Sequence, residues 1–489
     1  MVGSFFFFRS KKLKKYLVFY SLIRIFFVNE ENTLVRKNSK FFWFFAHLFV
    51  SLQLNTNLNL NNRLMKKILL TFVLTMSVMG AWADDVTFSP LQYEALPDLK
   101  TPRRGHVCIA TANGDVVVTG GHTTDFALTT TAERFHDGQW EYVDIAHAHD
   151  GAAYVTLSDG RVLICGGMSS GYGVGQSKAC DIYDPATNSF TTAASMTIDR
   201  AFCAGVATGD GNNVLVSGNW YNSDTTFDLW DGTTWTSFGT KEVQLNNPLM
   251  VSAGDGIVYV FGCFGNYGST NPATVWKVDT KNLTAETLDD TGLEGYQPIH
   301  GDYNPVKSLY GDRFFIAKKD TKMLLMEFDA ATAKAKELAA LPSNTPEEYS
   351  INYTSGVLFN PDRKEAYVIG AFGGTQNKGL VVVNYNYETQ KMAAYYASGF
   401  VGYPYWGVWA LQPVTGKIVF TGGSLSNNFD AVGMSLIVTP FGDGDAGISS
   451  ATLSKQKDNK YYTIDGRKLD KAPTAKGVYV VNGKKVVVK

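Results

Sequence analysis

Cysteine is scarce: five in 489 residues, at 108, 165, 180, 203 and 263. No C-x-x-C spacing occurs among them, and an odd count leaves at least one thiol unpaired. Buried, unpaired thiols are therefore expected rather than a disulfide framework or a metal site. H-E-x-x-H and the phosphate-binding loop are both missing, which excludes the commonest zinc hydrolases and P-loop enzymes. Long apolar runs are missing as well. The most hydrophobic early stretch, Tyr16–Val28, is broken by Arg24 and followed by Glu30 and Glu31, short of the roughly 20 residues a membrane helix needs.

Charge of one sign is lacking only on average. Residues 1–83 carry 12 basic and 2 acidic side chains, residues 84–451 carry 22 and 40, and residues 452–489 carry 10 and 3. The large central part is acidic, so a phosphate backbone is not its partner and nucleic acid is excluded.

What is present begins at Met65. Lys66 and Lys67 precede the apolar stretch Ile68–Gly80, and Ala81-Trp82-Ala83 precede Asp84. This basic, apolar, small-x-small order predicts a signal peptide over 65–83, cut after Ala83. The mature chain is expected to be secreted or held at the cell surface, with no membrane span. Residues 1–64 then read as an upstream stretch translated ahead of the true start. Asp at position 84, where a lipoprotein would carry Cys, gives no support to lipid attachment.

The mature chain repeats. An apolar run ending in small residues recurs as Val116–Gly121, Val162–Gly167, Val214–Asn219, Val258–Cys263, Ala366–Ala371 and Ile418–Gly423, with Arg313–Ala317 as a degenerate copy. The first small residues, 120, 166, 218, 262, 317, 370 and 422, are about 50 apart. A second marker, an Asp or Asn in a polar turn, follows six of these runs at Asp137, Asp184, Asp231, Asp279, Asp329 and Asn386. Such a residue caps a hairpin through its own backbone, and aromatic residues such as Trp140, Phe190 and Trp235 open the strand beyond.

A strand ending in Gly-Gly, a period near 50 and a downstream aromatic resemble the kelch repeat of β-propellers. The resemblance covers about residues 100–441. It implies an all-β, seven-bladed propeller over 88–441, with blade boundaries near 104, 149, 200, 247, 300, 350 and 405. Six blades plus an irregular segment over 300–341 is the alternative. The seventh blade runs out after three strands, so Leu91–Pro97 is expected to supply its outer strand and close the ring. A linker, 442–451, leads to a basic module over 452–489. There Tyr462, Gly466, Arg467, Gly477, Tyr479, Gly483, Lys484 and Lys485 resemble the C-terminal sorting domains of the type IX (Por) secretion system. Asn482-Gly483 between apolar runs signals a hairpin.

In a propeller, residues just ahead of each inner strand meet at one end of the central channel. Those positions read Arg104 and His106, His149 and Asp150, Arg200, Asn247, His300 and Asp302, Asn352 and Tyr353, and Tyr405 with Trp406, while His122, Phe264 and Phe372 follow the small-residue runs. Arg104, His106, His122, His149, Arg200, His300, Tyr405 and Trp406 are the candidate ligand-binding set, forming a polar, aromatic-lined funnel. Planar donors and aromatic faces suit a carbohydrate. His136 and His147 read as surface-turn residues.

The kelch resemblance also brings in the copper radical oxidases, which use two tyrosines and two histidines, one Tyr directly before a His. No Tyr-His dipeptide occurs here, so no copper and no other cofactor is expected. Gly167-Met168-Ser169-Ser170-Gly171 matches G-x-S-x-G, but a nucleophile elbow needs a helix after the strand, and here a Gly-rich loop follows. The leading expectation is a binding module for a glycan or an extracellular protein. Alternatives are a non-metal sugar epimerase or mutarotase using His149, His300 and Arg200, and a structural interaction scaffold.

Overall fold

A computed structural model describes residues 87–219, 226–239, 245, 248–262, 274–299, 313–320, 322–342, 354–372, 379–398, 406–424 and 430–440, with short segments between 461 and 488. The expected signal peptide, the upstream stretch and the linker lie outside the described residues.

The described secondary structure is all β, and the chain forms a seven-bladed propeller. Blade one is Val107–Ala110, Val116–Thr119, Ala132–His136 and Gln139–Val143, each strand antiparallel to the one before. Blades two to six repeat this up-and-down order, with inner strands Ala153–Thr156, Ala204–Ala207, Leu249–Gly254, Gln297–Ile299 and Thr354–Asn360. Blade seven has Val408–Leu411, Ile418–Thr421 and Ser435–Thr439. Inner strands of adjacent blades lie against one another between blades two and three, three and four, six and seven, and seven and one.

The six-blade alternative fails because Phe314–Lys319, Lys322–Asp329 and Lys334–Ala340 make a regular fifth sheet with Gln297–Ile299. That strand starts earlier than expected. His300, expected to lead into it, lies outside the described residues.

The start of the described chain closes the ring. Gln92–Ala95 pairs antiparallel with Ser435–Thr439, from Gln92 opposite Thr439 to Ala95 opposite Leu436. Just before it, Thr87–Pro90 runs parallel to Lys391–Ser398 as a fifth strand on blade six. One short segment thus covers the outer edge of one blade and completes the next, leaving fewer exposed strand edges.

Turn chemistry explains the second sequence marker. Asp184, Asp231, Asp279, Asp329 and Asn386 each accept backbone N–H groups two or three residues ahead through a side-chain oxygen. Asp137 differs: with Gly138 it takes positive φ at both positions (49° and 84°), the signature of a two-residue type I′ turn. Beyond these turns aromatic rings pair across the third and outer strands, Phe135 with Trp140, Tyr183 with Phe190 and Trp230 with Trp235.

The Gly-Gly pairs mark where blades touch. Gly120, Gly121, Gly166, Gly167, Gly422 and Gly423 all hold positive φ. A Cβ on Gly120 would fall 1.9 Å from the carbonyl oxygen of His149, one on Gly166 2.7 Å from that of Arg200, and one on Gly422 2.3 Å from that of Arg103. The second glycine then donates its N–H to the same carbonyl: Gly121 to His149 at 3.0 Å, Gly167 to Arg200 at 2.8 Å and Gly423 to Arg103 at 3.0 Å. Each pair is a backbone-to-backbone junction with the next blade.

Cys165, Cys180 and Cys203 are buried free thiols, and Cys108 is buried as well. Cys108 lies on an inner strand, Cys165 ends a second strand and Cys203 directly precedes an inner one. The C-terminal segments form a separate four-stranded sheet, in the order Lys468–Leu469, Tyr461–Thr463, Gly477–Val481, Lys484–Val488.

Gly120→Ala should destabilise the propeller by about 3 kcal/mol, since backbone has no room to yield. Gly138→Ala, with nothing within 4 Å of its added carbon, should cost only the left-handed backbone penalty of about 1 kcal/mol. Urea denaturation of the two variants measures the difference.

Candidate functional site

Four residues ahead of the inner strands of blades one, two and three stand Arg103, His149 and Arg200, and all three serve one purpose. Arg103 donates to the Gly120 carbonyl (3.1 Å), to the Thr131 carbonyl and hydroxyl (2.7 and 2.9 Å) and to Glu133 (2.7 Å). Arg200 donates to the Gly218 carbonyl (3.2 Å), to the Thr226 carbonyl and hydroxyl (both 2.9 Å) and to Asp228 (3.4 Å). His149 donates from Nδ1 to the Gly166 carbonyl (2.9 Å) and meets Asp181 through Nε2 (3.1 Å). In each blade the partners are the first residue of the small pair and an acid at the second position of the third strand. The two arginine blades place Thr just before that strand; the histidine blade places Ala179 there, matching the ring's smaller number of donors.

These are buried clamps that tie the lead-in loop to the second and third strands. Glu133, Asp181 and Asp228 also take bonds from the segment ahead: Lys100 and Thr101 N–H groups, the His147 N–H and ring, and the Thr197 hydroxyl. Burial alone would raise the Asp181 carboxyl, but hydrogen bonds from His149 and His147 hold it below the usual carboxylate range. Burial lowers the Arg103 guanidinium against the opposing pull of Glu133.

Arg200 and His149 are therefore not funnel residues. Both are fully buried in these clamps, and the epimerase reading that used them loses two of its three groups. His106 is buried too, its Nε2 2.8 Å from the Thr421 hydroxyl of blade seven. His147 and His136 are not simple surface-turn residues. His147 bonds Asp181, and His136 bonds Asp115 at 2.8 Å. Asn247, Phe264, His300, Asp302, Asn352, Tyr353 and Tyr405 lie outside the described residues, as does the side chain of Phe372.

The remaining candidates do converge. Arg104 and His122 exchange backbone hydrogen bonds (3.1 and 2.9 Å), and His122 Nδ1 donates to Asp150 Oδ2 of the next blade at 2.9 Å. The Arg104 guanidinium lies 4.7 Å from the ring centre of Phe126 and 5.0 Å from that of Trp406, cation–π distances. The His122 ring is 4.8 Å from Tyr172, 5.5 Å from Trp406 and 5.9 Å from Phe126. Tyr172 in turn packs on Trp406 at 5.1 Å and Phe202 at 6.3 Å. Burial raises the Asp150 carboxyl, opposed by the His122 hydrogen bond and the Arg104 charge.

Exposure is the reverse of the expected open polar funnel. Arg104, His122 and Asp150 are buried and Trp406 is only 8% exposed, whereas Phe126 is 42% and Val174 56% exposed. The physical reason is that lead-in positions are where blades meet, so their polar groups go into junctions. The loops after the Gly-Gly pairs bring the rings to the surface. Phe126 and Tyr172 were not among the sequence candidates, because they stand five or six residues beyond glycines in loops without a repeated motif.

A belt of backbone bonds underlies this cluster. Gly105 N–H donates to the Trp406 carbonyl (2.9 Å), Gly151 to Gly105 (3.3 Å) and Phe202 to Gly151 (2.8 Å), joining blades seven, one, two and three. All four residues stand two places ahead of an inner strand, and all four hold positive φ.

Among the described residues no three His, Cys, Asp or Glu side chains are placed to hold a metal ion, and His122 and Asp150 are bonded to each other. Ser169, in the chance G-x-S-x-G match, sits in a loop whose residues Gly171 and Val174 form a bridge, with no helix after it.

No family model matches this sequence, and neither does any curated protein. Among solved structures it is similar to a novel fungal alcohol oxidase with catalytic diversity among the AA5 family, in complex with copper: 13% identity, TM-score 0.48, covering 71% of this chain and 76% of that one.

The Asp181 clamp gives a signed prediction. A carboxyl held below its unfolded value stabilises the fold above about pH 4 and loses that contribution as pH falls through its native value. Asp181→Asn should cost roughly 2 kcal/mol at pH 7 and flatten the acid side of the stability profile, read by thermal melts from pH 7 to 3.

Proposed function

We propose that this chain is an exported kelch-type propeller that binds a carbohydrate through the top face of blades one, two and seven. The observation that carries the reading is the gathering of Phe126, Tyr172 and Trp406, from three separate loops, around the buried Arg104 and the His122–Asp150 pair. Aromatic rings stack on the apolar faces of sugar rings, and burial of the ionic groups beneath strengthens their field at the surface. Phe126 and Val174 supply exposed apolar area, with Tyr172 beside them. Export by the 65–83 signal and sorting through the basic C-terminal module belong to the same reading.

The enzyme alternative rests on one observation, the His122–Asp150 hydrogen bond. An Asp-oriented imidazole is the arrangement of a general base. It replaces the clamped His149 and Arg200 as the group such chemistry would use.

A glycan array probed with the protein from Asp84 onward tests the binding reading. Phe126→Ala and Tyr172→Ala should each weaken the recognised glycan about tenfold, the loss of one stacked ring, with melting temperatures near wild type. Wild-type affinity in both variants refutes the site. Turnover of a bound sugar that disappears in His122→Gln would move the reading to the enzyme.

A further inference from the structure

Cys165 closes the second strand of blade two and Cys180 opens the third, and the register sets them directly opposite each other. The Gly166 N–H donates to the Ala179 carbonyl at 2.9 Å. This marks 166 and 179 as a hydrogen-bonded pair, so the adjacent pair, 165 and 180, is of the non-hydrogen-bonded kind. Cα atoms of such pairs lie about 4.5 Å apart, with side chains on one face. A disulfide spans Cα separations of about 4.4–6.8 Å. Both thiols are buried in one apolar cluster, and Cys203 joins them from blade three, its thiol 3.8 Å from the Cys165 carbonyl.

The chain enclosed between them, 166–179, is the loop that carries Tyr172 and Val174. Its other fastenings include backbone bonds, Met168 to the Asp150 carbonyl (2.8 Å), Tyr172 to the Phe126 carbonyl (3.1 Å) and Ser177 to the Gly167 carbonyl (2.9 Å), the Gln176 side-chain amide bonded to Asn219, and the ring contacts of Tyr172.

We infer that Cys165 and Cys180 are a dithiol–disulfide site whose oxidation staples the base of the Tyr172 loop. The consequence for ligand binding rests on the proposed function; the disulfide does not. The oxidant is a small or protein disulfide, such as glutathione disulfide. One cysteine thiolate attacks it, forming a mixed disulfide and releasing one thiol. The second cysteine then displaces the other thiol. The chain loses two protons and two electrons, one S–S bond forms, and the oxidant is reduced to two thiols. Burial pushes the Cys165 thiol up and that of Cys203 up to about 11, which makes the closed native blade unreactive. Oxidation therefore belongs to folding, after the blade-two hairpin pairs and before blade three covers it. Cys203 arrives with blade three and is not the partner.

The test is refolding of the protein from Asp84 onward in a glutathione redox buffer, with a dithiothreitol control. Non-reducing peptide mapping should show Cys165 joined to Cys180 in the wild type and in Cys203→Ala, and no link in Cys165→Ala or Cys180→Ala. Amide hydrogen exchange over 168–178 should slow several-fold in the oxidised form relative to the reduced form. Free thiols at 165 and 180 after refolding, a link that uses Cys203, or loop exchange that ignores the link would each overturn the inference. Both readouts are made without ligand, so their failure is distinct from a failure to bind glycan.

Discussion

The close approach of one blade's backbone to the next, at the end of the second strand, is the constraint on which the rest depends. With a Cβ on Gly120 falling 1.9 Å from the His149 carbonyl oxygen, no side chain fits there. The same carbonyl takes the next glycine's N–H. A small residue and a positive φ are thus needed together, and glycine alone meets both without penalty. This junction fixes where the lead-ins of blades one, two and three stand against the blade before them.

Once the lead-in backbone is fixed, its polar side chains have few options. Arg103, His149 and Arg200 point back into their own blades, where a third-strand acid and the glycine carbonyl satisfy them. A buried charge without such partners would be costly, so the acid and the cation are one unit. The residue one place on faces the neighbouring blade or the channel mouth. It is Arg104, Asp150 and Ala201 in the three blades, and there the pattern stops being repetitive. Repetition serves the ring, and departure from it serves the site.

That division explains what could be read from sequence. The seven runs ending in small residues, the Asp turns and the shortfall in blade seven are all repeated or counted features, and each maps onto a strand, a turn or the closing pair Gln92–Thr439. The start of blade five was misjudged because Gln297–Ile299 is three residues long and contains Pro298, which hides its strand character. The clamps were legible too: Glu133, Asp181 and Asp228 recur at one strand position. However, an Arg or His beside the channel reads as a ligand group until its partner acid is located. Phe126 and Tyr172 carry no repeat signal, and only folding brings them to Arg104 and His122.

The belt beneath the cluster separates what the fold requires from what the site requires. At the position two before the inner strand, blades one and two use Gly105 and Gly151, while blades three and seven use Phe202 and Trp406 in the same left-handed conformation. The belt needs only the N–H, the carbonyl and that φ, all of which glycine provides. An aromatic residue there accepts about 1 kcal/mol of backbone strain. Its ring then touches Tyr172 in both cases, and Arg104 and His122 in the case of Trp406. Burial of the two rings offsets the strain, and their packing sets the tilt of Tyr172 at the surface. Strain at an otherwise glycine-suited position is thus accepted in the two blades whose rings buttress the Tyr172 loop, while the two glycine blades keep the belt without it.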